Sequence, residues 1–286
     1  MKTAFVFPGQ GSQFIGMGKD LDPSYFDRAD KILGFSLKQL CLEGPEDALK
    51  KTDIQQPAIF TVSAAAFSKM KDKPDAVAGH SLGEYSALYA AGAISFEDGV
   101  KIVHLRGKFM QEAVPLGEGA MSAVLGGERK TIEAICQEIG NVWPANFNSP
   151  GQVVISGKKA AVELAGEKLK QAGAKRIIPL AVSAPFHCPL MAPAAEKLAA
   201  ELDRIEIKDI ALPFIANVTA GYVSQGKEIK RLLIKQVTSP VLWEDAIIKL
   251  TSDGIGRFIE IGPGNVLSGL IKKISKDSEV KSYTEL

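Results

Sequence analysis

Ser81 stands in the pentapeptide Gly79-His80-Ser81-Leu82-Gly83, between the apolar run Ala76-Val77-Ala78 and the helix-forming stretch Glu84 to Ala91. A strand, a tight turn and a helix in that order would thrust one hydroxyl outward, and flanking glycines admit a turn too sharp for neighbours that carry a Cβ atom. The backbone N–H that follows such a serine points at a reacting carbonyl. The chemistry this implies is covalent acyl transfer through Ser81. The same letters also describe a Gly-rich loop that only turns the chain.

A serine nucleophile needs a base, and the chain has 3 histidines. His80 adjoins Ser81, and successive side chains diverge, so it is suited to shaping the turn rather than to accepting the Oγ proton. On a helical wheel of Phe96 to Ala113, His104 falls with Lys101, Lys108 and Gln111 on the polar side and reads as a solvated surface residue. His187 remains, in the Pro-flanked segment Val182 to Cys188, where loops commonly carry chemistry. Alone it is equally a histidine satisfied by core hydrogen bonds. The same wheel sets Arg106 inside the apolar arc of Ile102, Val103, Leu105, Phe109, Met110 and Ala113. A buried guanidinium demands a partner, and its planar fork suits a carboxylate. That partner is a protein acid, water reached by snorkelling, or the acid group of a ligand.

Positioning these groups requires an α/β scaffold. Short β-like runs (Thr3 to Phe7, Ala76 to Ala78) alternate with helical ones (Gln56 to Met70, Leu82 to Ala91, Phe96 to Ala113), the pattern of a parallel sheet wrapped by helices. Between about Gly119 and Leu180 the order changes. Strand Ala120–Leu125, helix Lys130–Ile139, strands Val142–Asn148 and Gln152–Gly157, helix Lys158–Ala172 and strand Ala174–Leu180 spell β-α-β-β-α-β, a ferredoxin-like unit. The expected organisation is a large α/β domain over residues 1–118 and 182–286, with a small ferredoxin-like domain inserted at 119–181. The α/β pattern resumes with a helix around Ala194–Leu202 and apolar strands Leu212–Asn217 and Arg257–Ile261.

Bulk properties narrow the function classes. The 286 residues are 46% apolar and 23% charged, enough for one large core with a smaller inserted domain. A net charge of +1 gives no general pull toward nucleic acid or an anionic membrane, and no dense basic run interleaved with aromatics occurs. Cys41, Cys136 and Cys188 are scattered, so neither a disulfide framework nor a zinc site is expected, and a reducing cytoplasm fits best. Ala4-Phe5-Val6-Phe7 is cut at once by Pro8 and Gly9, too short for a signal peptide, and no uninterrupted apolar span could cross a bilayer. Gly9-Gln10-Gly11-Ser12-Gln13-Phe14 lacks the third glycine of a dinucleotide fingerprint, and no phosphate-loop motif occurs. The expectation is a soluble, unexported protein that needs no metal or redox cofactor.

Over nearly its full length the chain resembles the malonyl-CoA:acyl-carrier-protein transacylase family. The resemblance is carried by Phe7-Pro8-Gly9-Gln10-Gly11-Ser12-Gln13, Gln56-Pro57-Ala58, the Ser81 pentapeptide with Glu84, Arg106 to Gln111, Asn146 to Gln152, His187, and Gln236 ahead of Pro240-Val241-Leu242-Trp243. It implies a hydrolase-like α/β domain with a ferredoxin-like insertion. By the same resemblance Ser81 is the nucleophile and His187 its general base and acid, with the backbone N–H groups of Gln10 and Leu82 as oxyanion hole. The main-chain carbonyl of Gln236 orients the histidine in place of an acidic third member. Arg106 pairs with the free carboxylate of malonyl, Gln56 belongs to the substrate site, and Phe186 fills the space an α-methyl branch would take. The implied partners are malonyl-CoA and an acyl carrier protein bearing phosphopantetheine, and the implied state is a monomer.

Lys158, Lys159, Lys168, Lys170, Lys175 and Arg176, on or beside the small domain, are candidates for steering an acidic carrier, or simply a solvated face. The expected pathway is fatty-acid synthesis, with trans-acting loading of polyketide carrier domains as the alternative. Two rivals of other classes stay open: a serine acyl hydrolase using the same pair, and an idle carrier-docking protein, which has little need for a nucleophile, base, oxyanion loop and buried cation together.

Overall fold

The computed structural model describes residues 1–182 and 184–286; Ser183, in the segment expected to return the chain to the large domain, lies outside the described residues. The strands are β1 (Lys2–Phe7), β2 (Ala76–Gly79), β3 (Gly119–Leu125), β4 (Val142–Ser149), β5 (Gln152–Lys158), β6 (Arg176–Pro179), β7 (Phe214–Ala216), β8 (Gly221–Val223), β9 (Ile255–Glu260) and β10 (Glu279–Ser282). Six of them form one sheet in the order β10-β9-β1-β2-β7-β8. It is parallel throughout except for β8, which turns back antiparallel on β7.

The centre of this sheet is β1, whose Ala4 to Phe7 are all 0% exposed, as a strand covered on both faces must be. Alternate residues serve opposite layers. Phe5 and Phe7 join a core that includes Ile59, Phe60 and Val62 of the helix Thr52–Ser68. Ala4 and Val6 pack into a second core with Trp243, Ile247 and Leu250 of the helix Trp243–Ser252. The register Phe7↔Gly79 and Ala78↔Ile215 brings the C-terminal ends of β1, β2 and β7 together. The segments leaving those ends hold Gln10, Ser81 and Asn217. In open parallel sheets this edge is where ligands bind.

Between residues 119 and 179 the remaining strands form a separate antiparallel sheet, β4-β5-β3-β6, with the helices Arg129–Ile139 and Lys159–Gln171 packed on it around Val124, Ile132, Val153, Val162 and Leu169. Pro150 and Gly151 make the β4–β5 turn, with Gly151 at φ 71°. This is the expected ferredoxin-like order. Its link to the large sheet runs through Val241, whose N–H donates to Ala145 O (2.9 Å) and whose O accepts from Phe147 N–H (2.9 Å).

Several elements were not anticipated: helices Ser24–Leu33, Leu37–Glu43, Gly226–Gln236 and Val266–Ile274, the helix Trp243–Ser252, and the edge strands β8 and β10. His104 corrects an expectation. It is half-buried rather than solvated, because its Nδ1–H reaches Asp53 O at 2.8 Å and its ring lies 5.9 Å from that of Phe35. Lys101 and Lys108 on the same helix do face water.

Candidate active site

Ser81 follows β2 directly and precedes the helix Gly83–Ala90. Its φ of 51° is a left-handed conformation that side chains other than glycine adopt at a cost of about 1–3 kcal/mol unless their surroundings enforce it. The glycines on either side make the turn feasible. A Cβ on Gly79 would run into the backbone of Gly83, and one on Gly83 into the carbonyl of Phe7 in β1. The strain is held by hydrogen bonds to both ends of the residue. Ser81 N–H donates to Asn217 Oδ1 at 2.7 Å, and Ser81 O accepts from Gln236 Nε2 at 3.0 Å.

His187 Nε2 lies 2.7 Å from Ser81 Oγ, and His187 Nδ1 lies 2.8 Å from Gln236 O. A carbonyl only accepts, so Nδ1 carries the proton and Nε2 presents its lone pair to the serine hydroxyl. The ring is 4% exposed and its residue sits at φ 58°. Burial, then the positive charge of Arg106, holds the imidazole down to about 3, so the resting ring is neutral. No acid touches it. Glu84, a buried acid of the site, bonds instead to Asn217 N–H (2.6 Å) and to the side chain of Gln236.

Arg106 projects from the helix Phe96–Glu112 and is 1% exposed. Its guanidinium donates to Gln56 Oε1 (2.7 Å), Gln236 Oε1 (2.8 Å) and Ser81 Oγ (3.0 Å). All three acceptors are neutral, and its Nε–H has no acceptor among the described residues. No carboxylate among the described residues lies within ion-pair distance of it, so neither a direct internal salt bridge nor snorkelling accounts for its burial. The ring of Tyr85 lies 5.6 Å from the guanidinium carbon. Burial pulls the Arg106 pKa down, while Tyr85 and Glu84 push it up.

These groups open into a cleft of about 110 Å³ lined by Gln10, Ser81, Arg106, Met121, Phe186 and His187. The sequence-selected residues therefore converge. Phe186 is buried in the wall of the cleft, Gln56 reaches it through Arg106, and Gln236 holds both His187 and Arg106. The backbone N–H groups of Gln10 and Leu82 have no hydrogen-bond acceptor among the described residues. His80, beside Ser81, is tied to Asn148 Oδ1 at 2.8 Å and packs edge-on against Trp243. Of the basic side chains, Lys158, Lys159, Lys170, Lys175 and Arg176 are exposed, whereas Lys168 is half-buried and paired with Glu138 at 2.7 Å.

Asn217 and Glu84 are the site residues that sequence reasoning missed. Asn217 Nδ2 donates to Gly79 O at 2.7 Å, so its amide clamps the backbone on both sides of His80, from Gly79 O to Ser81 N–H. Burial pushes the Glu84 carboxyl above the usual carboxylate range, while the Asn217 N–H, the Gln236 amide and the Arg106 charge pull it back toward the ionised form. Among the described residues no group of three or more His, Cys, Asp or Glu is placed to hold a metal ion. No helix among them is long and apolar enough to cross a membrane.

A hydroxyl on a strained strand–turn–helix elbow, above a parallel sheet and with an imidazole on its oxygen, defines a protein of the hydrolase-like α/β class. The family model described as "Acyl transferase domain" matches residues 4–286. The malonyl CoA-acyl carrier protein transacylase of Bacillus subtilis (strain 168) is 52% identical, over 96% of this chain and 91% of that protein. The enzyme of the same name from Escherichia coli (strain K12) is 47% identical, over 95% and 92%. An acyl carrier protein S-malonyltransferase from Vibrio cholerae superposes with a TM-score of 0.96 at 44% identity, covering 99% of this chain and 96% of that one. PlMCAT, solved with AntF, a type II polyketide acyl-carrier protein, gives a TM-score of 0.94 at 45% identity, covering 99% and 95%. The chain belongs to the malonyl-CoA:acyl-carrier-protein transacylase family.

Proposed function

We propose that this protein transfers the malonyl group of malonyl-CoA to the phosphopantetheine thiol of an acyl carrier protein, through a malonyl ester of Ser81, in fatty-acid synthesis. Arg106 carries the assignment: a buried cation, 3.0 Å from the nucleophile and without a carboxylate partner of its own, suits an acyl group that brings one. Acetyl-CoA lacks that carboxylate and would leave the guanidinium uncompensated. Phe186 in the cleft wall disfavours a branch at the α-carbon.

In the first half-reaction Ser81 Oγ attacks the thioester carbonyl as its proton passes to His187 Nε2. The N–H groups of Gln10 and Leu82 stabilise the tetrahedral oxyanion, more strongly than they would the planar thioester. Collapse breaks the C–S bond, and the imidazolium returns its proton to the CoA sulfur. The carrier thiol then reverses the sequence: it gives its proton to His187 and takes the malonyl group, and Ser81 leaves with that proton. The Gln236 carbonyl keeps the imidazole in the required tautomer throughout, and Arg106 NH2 stabilises charge developing on Oγ.

The carrier partner is supported by the names of the relatives, and the exposed cations around Lys158, Lys159, Lys170, Lys175 and Arg176 are a complementary face for an acidic carrier. Trans-acting malonyl loading of polyketide carriers is the second reading, favoured by the likeness to PlMCAT in its complex with AntF. On this assignment residues 119–181 are a small domain inserted between 1–118 and 182–286, and the enzyme is a cytoplasmic monomer needing no metal, redox cofactor, nucleic acid or membrane. Incubation with labelled malonyl-CoA, with and without holo carrier, tests the reaction. Label on the carrier, lost in Ser81→Ala, is the expected result; free malonate alone would identify a hydrolase, and no protein adduct would refute the mechanism.

A further inference from the structure

One buried acid of the site takes no part in the steps above. Glu84 lies in the first turn of the helix Gly83–Ala90, is 1% exposed, and faces the side chain of Gln236 and the backbone of Asn217 rather than solvent. Its two oxygens serve two segments of the site, the turn after β7 and the end of the helix Gly226–Gln236. Oε1 accepts from Asn217 N–H at 2.6 Å and Oε2 accepts from Gln236 Nε2, so both oxygens face N–H donors and the contacts fit the ionised carboxylate. Both donors hold Ser81 in turn, Asn217 through the Ser81 N–H and Gln236 through the Ser81 carbonyl. The other end of the Gln236 amide accepts from Arg106 at 2.8 Å.

We infer that Glu84 is a positioning residue for acyl selectivity: through the Gln236 amide it supplies Arg106 with a counter-charge at one remove. A carboxylate bonded directly to the guanidinium would compensate the buried cation equally well, but it would occupy the fork a substrate carboxylate needs. Placing an amide between them polarises C=O toward the cation and N–H toward the acid, as chains of hydrogen bonds in a low-dielectric interior do. The guanidinium is thus held in place while its remaining donors stay available to a ligand. The same amide fixes the strained Ser81 backbone, so nucleophile and selectivity group share one anchor.

Glu84→Gln tests this, because it keeps the shape and removes one acceptor. A carboxamide can accept from Asn217 N–H or from Gln236 Nε2, and at the other position it would set donor against donor. Either way Glu84→Gln removes the negative charge behind the Gln236 amide, and where the clash falls on Gln236 its amide shifts off Arg106. This inference rests on Arg106 being the malonyl clamp, so Arg106→Ala is measured alongside. The readout is the ratio of kcat/KM for malonyl-CoA to that for acetyl-CoA, with Tm recorded for each variant. The expected result is a fall in the ratio of about tenfold or more in Glu84→Gln, the size of one lost charge-assisted contact, with Glu84→Asp moving it the same way because the shorter side chain cannot span both donors. Equal loss with both substrates would mark Glu84 as merely structural and overturn the inference, as would an unchanged ratio. If Glu84→Gln does not fold, the ratio in Glu84→Asp decides by the same criteria. An Arg106→Ala ratio that falls while both Glu84 variants keep theirs refutes the inference alone; an Arg106→Ala ratio that stays put refutes the clamp and the inference with it.

Discussion

Replacing Arg106 by alanine is the sharpest test of the substrate assignment. In the free protein the guanidinium satisfies itself with three neutral acceptors at 2.7, 2.8 and 3.0 Å and leaves Nε without one. A carboxylate entering the cleft adds what those contacts lack, an opposite charge in a water-poor site. Hydrogen bonds to charged groups contribute about 1.5–3 kcal/mol each, and removing one partner of a buried pair costs about 3–5 kcal/mol. Taking about 3 kcal/mol, at about 1.4 kcal/mol per tenfold, malonyl transfer should lose roughly a hundredfold in kcat/KM that acetyl transfer does not. The difference between the substrates matters more than either rate. Arg106→Ala also strips a donor from Ser81 Oγ and orphans the acceptor oxygens of Gln56 and Gln236, and those losses fall on every acyl group. Initial rates with malonyl-CoA and acetyl-CoA at a fixed concentration of holo carrier give the ratio. A variant whose malonyl-to-acetyl ratio equals that of the native enzyme would refute the clamp, whatever happened to its absolute activity.

The remaining expectations concern pH and stability. His187 acts as a base only when neutral, and burial with the Arg106 charge holds it down to about 3. The acid limb of kcat/KM for acylation should therefore fall below the ordinary histidine value of about 6.5, and a limb at or above that value would contradict the neutral resting ring. By linkage, the unfolded chain protonates this histidine near 6.5 while the folded one resists, so His187 makes stability fall as pH drops from about 6.5 toward 3, by at most about 1.4 kcal/mol per pH unit. Denaturant titrations of native protein and His187→Ala across that window should diverge in slope. Away from the cleft, the buried Glu260 at the end of β9 caps the helix Val266–Ile274 by accepting from Leu267 N–H (3.0 Å), Ser268 N–H (2.7 Å) and Ser268 Oγ (2.7 Å). Glu260→Ala should cost roughly 3 kcal/mol in a urea melt, since several buried donors lose their acceptor at once; a change under about 0.5 kcal/mol would mean water replaces the cap freely.

What the sequence disclosed follows from how local each signal is. The β1 and β2 strands, the elbow between Gly79 and Gly83 and the β-α-β-β-α-β order of the small sheet are written in adjacent residues, through apolar runs and turn chemistry. The burial of Arg106 was likewise legible, because a helical wheel needs only one helix. His104 failed the same test: its polar position on the wheel is real, but the Asp53 carbonyl that buries it comes from the helix Thr52–Ser68. The edge strand β10 escaped notice because Glu279-Val280-Lys281-Ser282 is short and half charged, and only its pairing with β9 makes it a strand.

The supporting residues of the site were illegible for a deeper reason. Asn217 holds Ser81 across 136 residues, and Gln236 meets Glu84 across 152, through contacts that exist only once β2 and β7 lie side by side and the helix Gly226–Gln236 has packed against the turn. Glu84 in isolation is an ordinary first-turn acid, favourable at a helix N-terminus whatever the protein does. Its burial is the unusual fact, and burial is a property of the assembled sheet. A serine at φ 51° is opposed by its own backbone preference, and its flanking glycines only make room for it; the force that holds it there comes from distant amides that grip its N–H and its carbonyl together. The Ser81 hydroxyl is thus local in sequence but non-local in energy, and a fold that lost the Asn217 and Gln236 contacts would keep the motif while losing the geometry that sets it against His187.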